Sequence, residues 1–212
     1  MIPSMLTARC FHGILSLQTA LIVAAGQVQS SHPSQCNSYT DSVEVYKPHE
    51  HTWYQTKSLP VQFFNMSSAT LHGQCYIAGG FRDDPGALCH VYCAAVEDLL
   101  INTTPYYEST QVEDSPQSVW KNLPNTPSYQ PSVCVLAGKM FAFGGDSEPK
   151  GEQQRGIWAY SSDSGMWENF DDLPNALRLC TVIKVSPFEV MVIGGMAQGT
   201  DPVSTVFIGR LQ

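Results

Sequence analysis

The residues best suited to chemistry lie together in Cys89-His90-Val91-Tyr92-Cys93, which sets two thiols beside an imidazole. A structural zinc ion needs a second pair of ligands at suitable spacing, and none stands nearby. The order is also wrong for covalent haem attachment. These five residues therefore read as ordinary strand positions. His49-Glu50-His51 offers two more imidazoles. No carboxylate or cysteine partner can be assigned to them, so the triplet reads as a solvated turn ahead of Trp53. Glycine pairs recur in the chain, yet no Gly-Lys-Ser/Thr and no helix start follows any of them, which excludes a phosphate loop. No nucleophile elbow is present. On these residues no metal and no cofactor is expected.

Composition narrows the classes further. The chain has 212 residues, 43% of them hydrophobic and 14% charged, enough to build a sizeable core in one domain. Its net charge is -8, and lysine plus arginine total only 11. A chain so poor in cations lacks the basic patches that non-specific nucleic-acid or anionic-membrane binding requires. Seven cysteines, among them Cys75, Cys93 and Cys134 in predicted strands, read as small buried thiols in a reducing compartment, so the expected location is cytoplasmic. No apolar run approaches the roughly 20 residues that span a bilayer.

The elements that must position these residues are clearest between 133 and 174. Val133, Cys134, Val135 and Leu136 form an apolar run, which Ala137-Gly138-Lys139 reverses. A second run from Met140 ends on Gly144-Gly145. A polar stretch leads to Ile157-Trp158-Ala159-Tyr160, a turn with Asp163, Ser164 and Gly165 follows, and Met166-Trp167 runs on to Leu173-Pro174. Short runs rich in β-branched and aromatic residues, bounded by Gly, Pro, Ser and Asp, predict a four-stranded antiparallel sheet.

The unit repeats. Glycine pairs or a near match fall at Ala25-Gly26, Gly79-Gly80, Gly144-Gly145 and Gly194-Gly195. A tyrosine seven residues before a tryptophan occurs as Tyr46 and Trp53, and again as Tyr160 and Trp167. Leu-Pro follows at Leu59-Pro60 and Leu173-Pro174. The second copy keeps Trp120 and Leu123-Pro124 but carries Ala94 in place of the tyrosine. Glycine suits the end of a second strand, where backbones crowd together. Tyrosine and tryptophan at this spacing fall on adjacent strands and can pack as a cross-strand pair. One such sheet cannot bury both its faces alone, which is why such units come in rings.

This unit resembles the kelch repeat, whose hallmark is a diglycine, a spaced tyrosine and a tryptophan. The resemblance implies an all-β propeller with blades at approximately 7–60, 66–124, 132–174 and 177–212, the last of them incomplete. It further implies a protein-interaction module, not an enzyme, that presents loops on one face to a partner protein. In such propellers the loops joining strands two and three share that face with the segments between blades. Arg9, Arg82, Arg155 and Arg178 lie in these segments and are candidates to bind an acidic peptide, against the alternative that each serves its own blade. Some kelch-type propellers are copper oxidases resembling galactose oxidase; the scattered histidines here offer no matching ligand set, and this stands as the alternative function.

Residues 1–26 allow two readings. Small residues end an apolar stretch that begins at Ile14, as in a signal peptide, which would make the protein secreted. The other reading makes the stretch two strands of the first blade, with a turn at Gln18 and Thr19. Aligning 7–26 with 176–195 without a gap places Arg9 on Arg178 and supports the blade. Ile2-Pro3 aligns with Leu173-Pro174, and Val206-Phe207-Ile208 aligns with Ile157-Trp158-Ala159, a third strand. The expectation is therefore an opened ring whose completing strand lies upstream, with edge strands left free to self-associate. The insertion 96–119 is expected to hold one helical turn at its start and a mobile surface loop beyond.

Overall fold

The computed structural model describes residues 2–29, 38–82, 88–101, 103, 118–149, 151–197 and 201–211. The chain opens with β1 (Arg9–Cys10), β2 (Gly13–Ser16), β3 (Leu21–Ala24), β4 (Gln27–Val28), β5 (Ser38–Tyr39), β6 (Val43–Lys47) and β7 (Thr52–Thr56). Strands β2-β3-β6-β7 make the first antiparallel sheet. The apolar stretch from Ile14 is thus the inner half of a blade, reversed by a turn in which Leu17 N–H bonds Ala20 C=O at 2.9 Å. The second sheet is β8 (Ser67–Leu71), β9 (Gln74–Ala78), β10 (Val91–Ala95) and β11 (Lys121–Leu123), with the helix α1 (Val96–Ile101) between the last two. The third is β12 (Ser132–Leu136), β13 (Lys139–Phe143), β14 (Gly156–Ser161) and β15 (Met166–Asp172). The fourth has three strands, β16 (Thr181–Ser186), β17 (Glu189–Ile193) and β20 (Val206–Arg210), with the small ribbon β18 (Met196–Ala197) and β19 (Asp201–Pro202) ahead of β20.

Local chemistry sets these elements. His72-Gly73 and Ala137-Gly138 both take left-handed backbone, with φ of 48 and 73 and of 48 and 74. That is the geometry that matches a two-residue hairpin to the twist of its strands. The predicted cross-strand pairs form in register: Tyr46 lies opposite Trp53 with ring centroids 5.2 Å apart, and Tyr160 opposite Trp167 at 5.3 Å.

The first strands of successive blades are neighbours, β2 beside β8, β8 beside β12 and β12 beside β16. One cavity of about 420 Å³ touches the start of all four. Stacked this way, the sheets bury each other's faces. One core cluster joins Ile22, Val45 and Leu59 of the first blade to Ile77, Tyr92 and Trp120 of the second, and another joins Phe141 and Phe143 of the third to Val190 and Val192 of the fourth.

Each blade tryptophan also fastens its outer strand to the segment before it. The indole N–H of Trp53 bonds Pro3 C=O at 2.9 Å, that of Trp120 bonds Lys57 C=O at 3.0 Å, and that of Trp167 bonds Pro124 C=O at 3.1 Å. Blade two lacks the tyrosine, and its substitute is visible. Ala94 is buried in one cluster with Leu99 of α1, a residue with no exposed surface, whose C=O accepts a 2.7 Å bond from Thr56 Oγ1. The helical turn predicted from 96 onward is therefore a packing element. The surface loop expected after it, with Tyr106 and Tyr107, lies outside the described residues.

The gapless alignment of the first and fourth blades needs one correction. Ala24 and Ile193 are equivalent, but Gly13 pairs with Ala24 where Thr181 pairs with Ile193, so the first strands are displaced by one residue. The extra residue sits in the irregularity between Lys184 and Ser186. Arg178, which bridges Met196, consequently matches Cys10, which pairs with Gln27, and not Arg9.

Trp53 and Trp120 are buried at 7% and 4% exposure, whereas Trp167 is only half-buried. Trp120→Ala should accordingly lower unfolding stability by about 3–5 kcal/mol. Trp167→Ala should cost clearly less, with urea unfolding followed by fluorescence as the measurement.

Candidate partner-binding face

The connections between second and third strands meet the segments between blades at one end of the sheets. Four antiparallel bridges repeat there: Cys10 with Gln27, Phe64 with Phe81, Tyr129 with Asp146, and Arg178 with Met196. In each blade the residue after the first of these pairs, namely Phe11, Asn65, Gln130 or Leu179, has φ between 50 and 57. A bulky residue in left-handed backbone usually marks strain. Recurrence in every blade makes it a demand of the architecture instead. Further bonds tie the same segments together, including Leu59 N–H to Asp41 C=O at 2.9 Å and Leu173 N–H to Arg155 C=O at 2.7 Å.

The four candidate arginines are placed very differently. Arg9 has a fully buried side chain in an ion pair with Glu44, itself 2% exposed, and donates to Ala25 C=O and Ser42 C=O, both at 2.9 Å. It is an internal strut of the first blade and presents nothing to a partner. Glu44 also accepts the backbone N–H groups of Leu6 at 2.8 Å and Thr7 at 3.0 Å, which pins the N-terminal segment to β6. Arg178 reaches across to the buried Asp146 at 3.3 Å. Burial pushes the Asp146 carboxyl above its usual range, and the arginine opposes that rise. Arg155 is exposed and its Nε–H bonds Leu173 C=O at 2.8 Å. Arg82 is half-buried and near enough to Tyr92 to act on its hydroxyl electrostatically. The residues after it, 83–87, lie outside the described residues, as do 30–37 in the corresponding connection of the first blade.

An aromatic cluster occupies the same end of blades one and two. Tyr39 stacks on Phe64 with centroids 4.8 Å apart, Phe64 meets Phe81 edge-on at 5.5 Å, and Phe11 lies 6.2 Å from Phe64. Phe11 is 58% exposed, the other three are half-buried, and Arg82 follows Phe81 directly in the chain. Sequence reasoning does not single these four out, because they sit in connections and do not share one position of the repeat.

Cys89-His90-Val91-Tyr92-Cys93 proves to be strand β10 and its approach. Both thiols are buried, and burial raises both above the usual cysteine range. His90 stacks on Tyr92. Cys75, the most strongly affected, is pushed up to about 12 by burial. A thiol held protonated in this way is a poor nucleophile and a poor metal ligand.

A family profile, the Kelch motif, matches residues 8–60, the whole of the first blade. Kelch-like protein 41b of Danio rerio is 25% identical over 202 residues, covering 92% of this chain and 28% of that protein. The chain is thus similar to kelch-repeat proteins. Kelch-like protein 41 of Rattus norvegicus is 22% identical over 203 residues (78% of this chain, 33% of that protein), and Kelch-like protein 35 of Mus musculus is 25% identical over 168 residues (78% and 25%). The chain thus spans between a quarter and a third of the length of these relatives.

Two outcomes test the electrostatics of this end. Glu44→Ala leaves the Arg9 guanidinium buried without its counter-charge and should destabilise the protein by about 3–5 kcal/mol, read by urea unfolding. His12, whose Nδ1 is buried without a hydrogen-bond partner among the described residues, is held below its usual 6.5 by desolvation first and Arg9 second, with Glu44 opposing. The unfolded chain therefore takes up this proton before the folded one does. Stability should fall as pH drops below 6.5 toward the folded value, and His12→Gln should flatten that part of the pH profile.

Proposed function

We propose that this kelch-repeat chain is a non-catalytic protein-interaction module whose partner docks on the bridged end of blades one and two. The observation that carries the reading is the aromatic cluster of Phe11, Tyr39, Phe64 and Phe81 beside Arg82. Aromatic residues and arginine are the side chains over-represented at energetic centres of interfaces, since they combine large contact area with a polar handle. Their neighbours are tied down by the repeated bridges, so little ordering entropy is lost on binding. Arg82 and Arg155 give the end two cations suited to an acidic segment of the partner. Arg9 serves it indirectly, by bonding the Ala25 and Ser42 carbonyls of blade one, whereas Arg178 holds Asp146 in the later blades.

Affinity capture from cell extract, read by mass spectrometry, tests this. The variant pair Phe11→Ala and Arg82→Ala removes one exposed aromatic and one half-buried cation while sparing the core. It should weaken capture of a specific partner by roughly 30-fold, the scale of a hot-spot loss of about 2 kcal/mol, at unchanged thermal stability. A partner retained in full by the doubly substituted protein sinks the proposal.

A further inference from the structure

The cavity of about 420 Å³ at the start of the four first strands lies beside the aromatic cluster. Phe11 and His12 are chain neighbours, as are Phe64 and Asn65; the first of each pair belongs to the cluster and the second to the cavity wall. That wall is polar without being charged. His12, Asn65, Gln130 and Thr181 stand among apolar residues such as Val133 and Leu179, and no aspartate, glutamate, lysine or arginine takes part among the described residues.

Gln130 is the member that packing does not explain. It is only 7% exposed, and its backbone N–H is taken by Leu88 C=O at 2.9 Å. Its carboxamide has no hydrogen-bond partner among the described residues. Burying an amide without a partner costs stability, so leucine or methionine would serve the fold better here. Backbone conformation gives no reason either. Gln130 has φ 50, where asparagine is favoured over glutamine, and its counterparts are Phe11, Asn65 and Leu179. Two further groups in the wall are open to a ligand. His12 Nδ1 is buried without a partner, and the half-buried Asn65 carboxamide makes no hydrogen bond among the described residues.

We infer that this cavity receives a neutral amide side chain, asparagine or glutamine, from the partner that docks on the aromatic cluster; the inference rests on the docking reading above. A carboxylate or an ammonium group would enter without a counter-charge in the wall. An amide matches the donor and the acceptor of the Gln130 carboxamide and leaves its second N–H for Asn65 or His12, whereas a hydroxyl has a single hydrogen to give. A site built around such bonds rejects a side chain that cannot form them more strongly than an apolar pocket rejects a misfit.

The probe is the capped peptide acetyl-Gly-Gln-Gly-amide, compared with the same peptide carrying glutamate or methionine in the middle. Each is titrated into the isotope-labelled 212-residue protein and followed by NMR. The side-chain amide resonances of Gln130, assigned by their loss in Gln130→Met, should shift and saturate in roughly the millimolar range. The glutamate and methionine peptides should bind more weakly by roughly 10-fold or more. Gln130→Met should abolish binding at unchanged or raised thermal stability, because no internal hydrogen bond is lost. Absence of a saturable shift, equal binding of the three peptides, or a loss of stability in Gln130→Met overturns the inference. Phe11→Ala with Arg82→Ala should leave peptide binding as it is, which separates this inference from the docking reading. If the glutamine peptide fails to bind while that double variant still loses its captured partner, the amide site falls alone. If the peptide binds while the double variant retains its partner in full, the docking reading falls and the amide site stands.

Discussion

Two consecutive residues of left-handed backbone at the end of each second strand govern this molecule. In blade three they are Gly144 and Gly145, with φ of 58 and 98. A Cβ on Gly144 would come within 2.2 Å of Leu177 C=O, and one on Gly145 within 2.4 Å of Tyr129 C=O. This close approach lets the next residue, Asp146, bridge Tyr129 and lets Gly145 N–H bond Leu177 C=O at 2.8 Å, which is a tie between blades three and four. Blade packing, the buried Asp146 carboxylate and the arrangement of the connecting segments all follow from that contact. In blade one Ala25 takes the first of the two positions at φ 55. There Arg9 donates to the Ala25 carbonyl, so a bond to a charged group helps to hold a conformation that alanine adopts reluctantly.

How much of this was legible depends on the range of the interaction. Tyr46 and Trp53, or Tyr160 and Trp167, are seven residues apart and sit on the two arms of one hairpin, so their spacing alone announces the pair. The third strand at Val206 was readable as the short apolar run that follows the last glycine pair, Gly194-Gly195. The partnership of Arg9 with Glu44 spans 35 residues and belongs to no repeat position, and sequence offered Arg9 as a surface cation. The cluster around Phe64 joins residues from four connections, whose lengths vary from blade to blade. The slipped alignment of Arg178 has a local cause, a single bulged residue in β16, which periodicity cannot register.

Blade two shows how the repeat absorbs a lost consensus residue. Alanine at 94 removes most of a large aromatic ring, which would leave a void beneath Trp120. The insertion after β10 returns that volume through Leu99, and Thr56 Oγ1 satisfies the helix carbonyl that comes with it. The site is conserved in packing while its residue is not.

The indole bonds have a direction. Trp53, Trp120 and Trp167 all reach backward along the chain, to Pro3, Lys57 and Pro124, and none of these bonds reaches forward. Each blade is thereby latched to what precedes it in the polypeptide. Tension applied at the C-terminal end would peel β20 away without disturbing any of the three latches, whereas tension at the N-terminal end would first draw Pro3 from Trp53 and release the outer strand of blade one. Nearest-neighbour cooperativity in such an array is therefore polar, and disassembly under load should run as a ratchet with one easy and one resisted end.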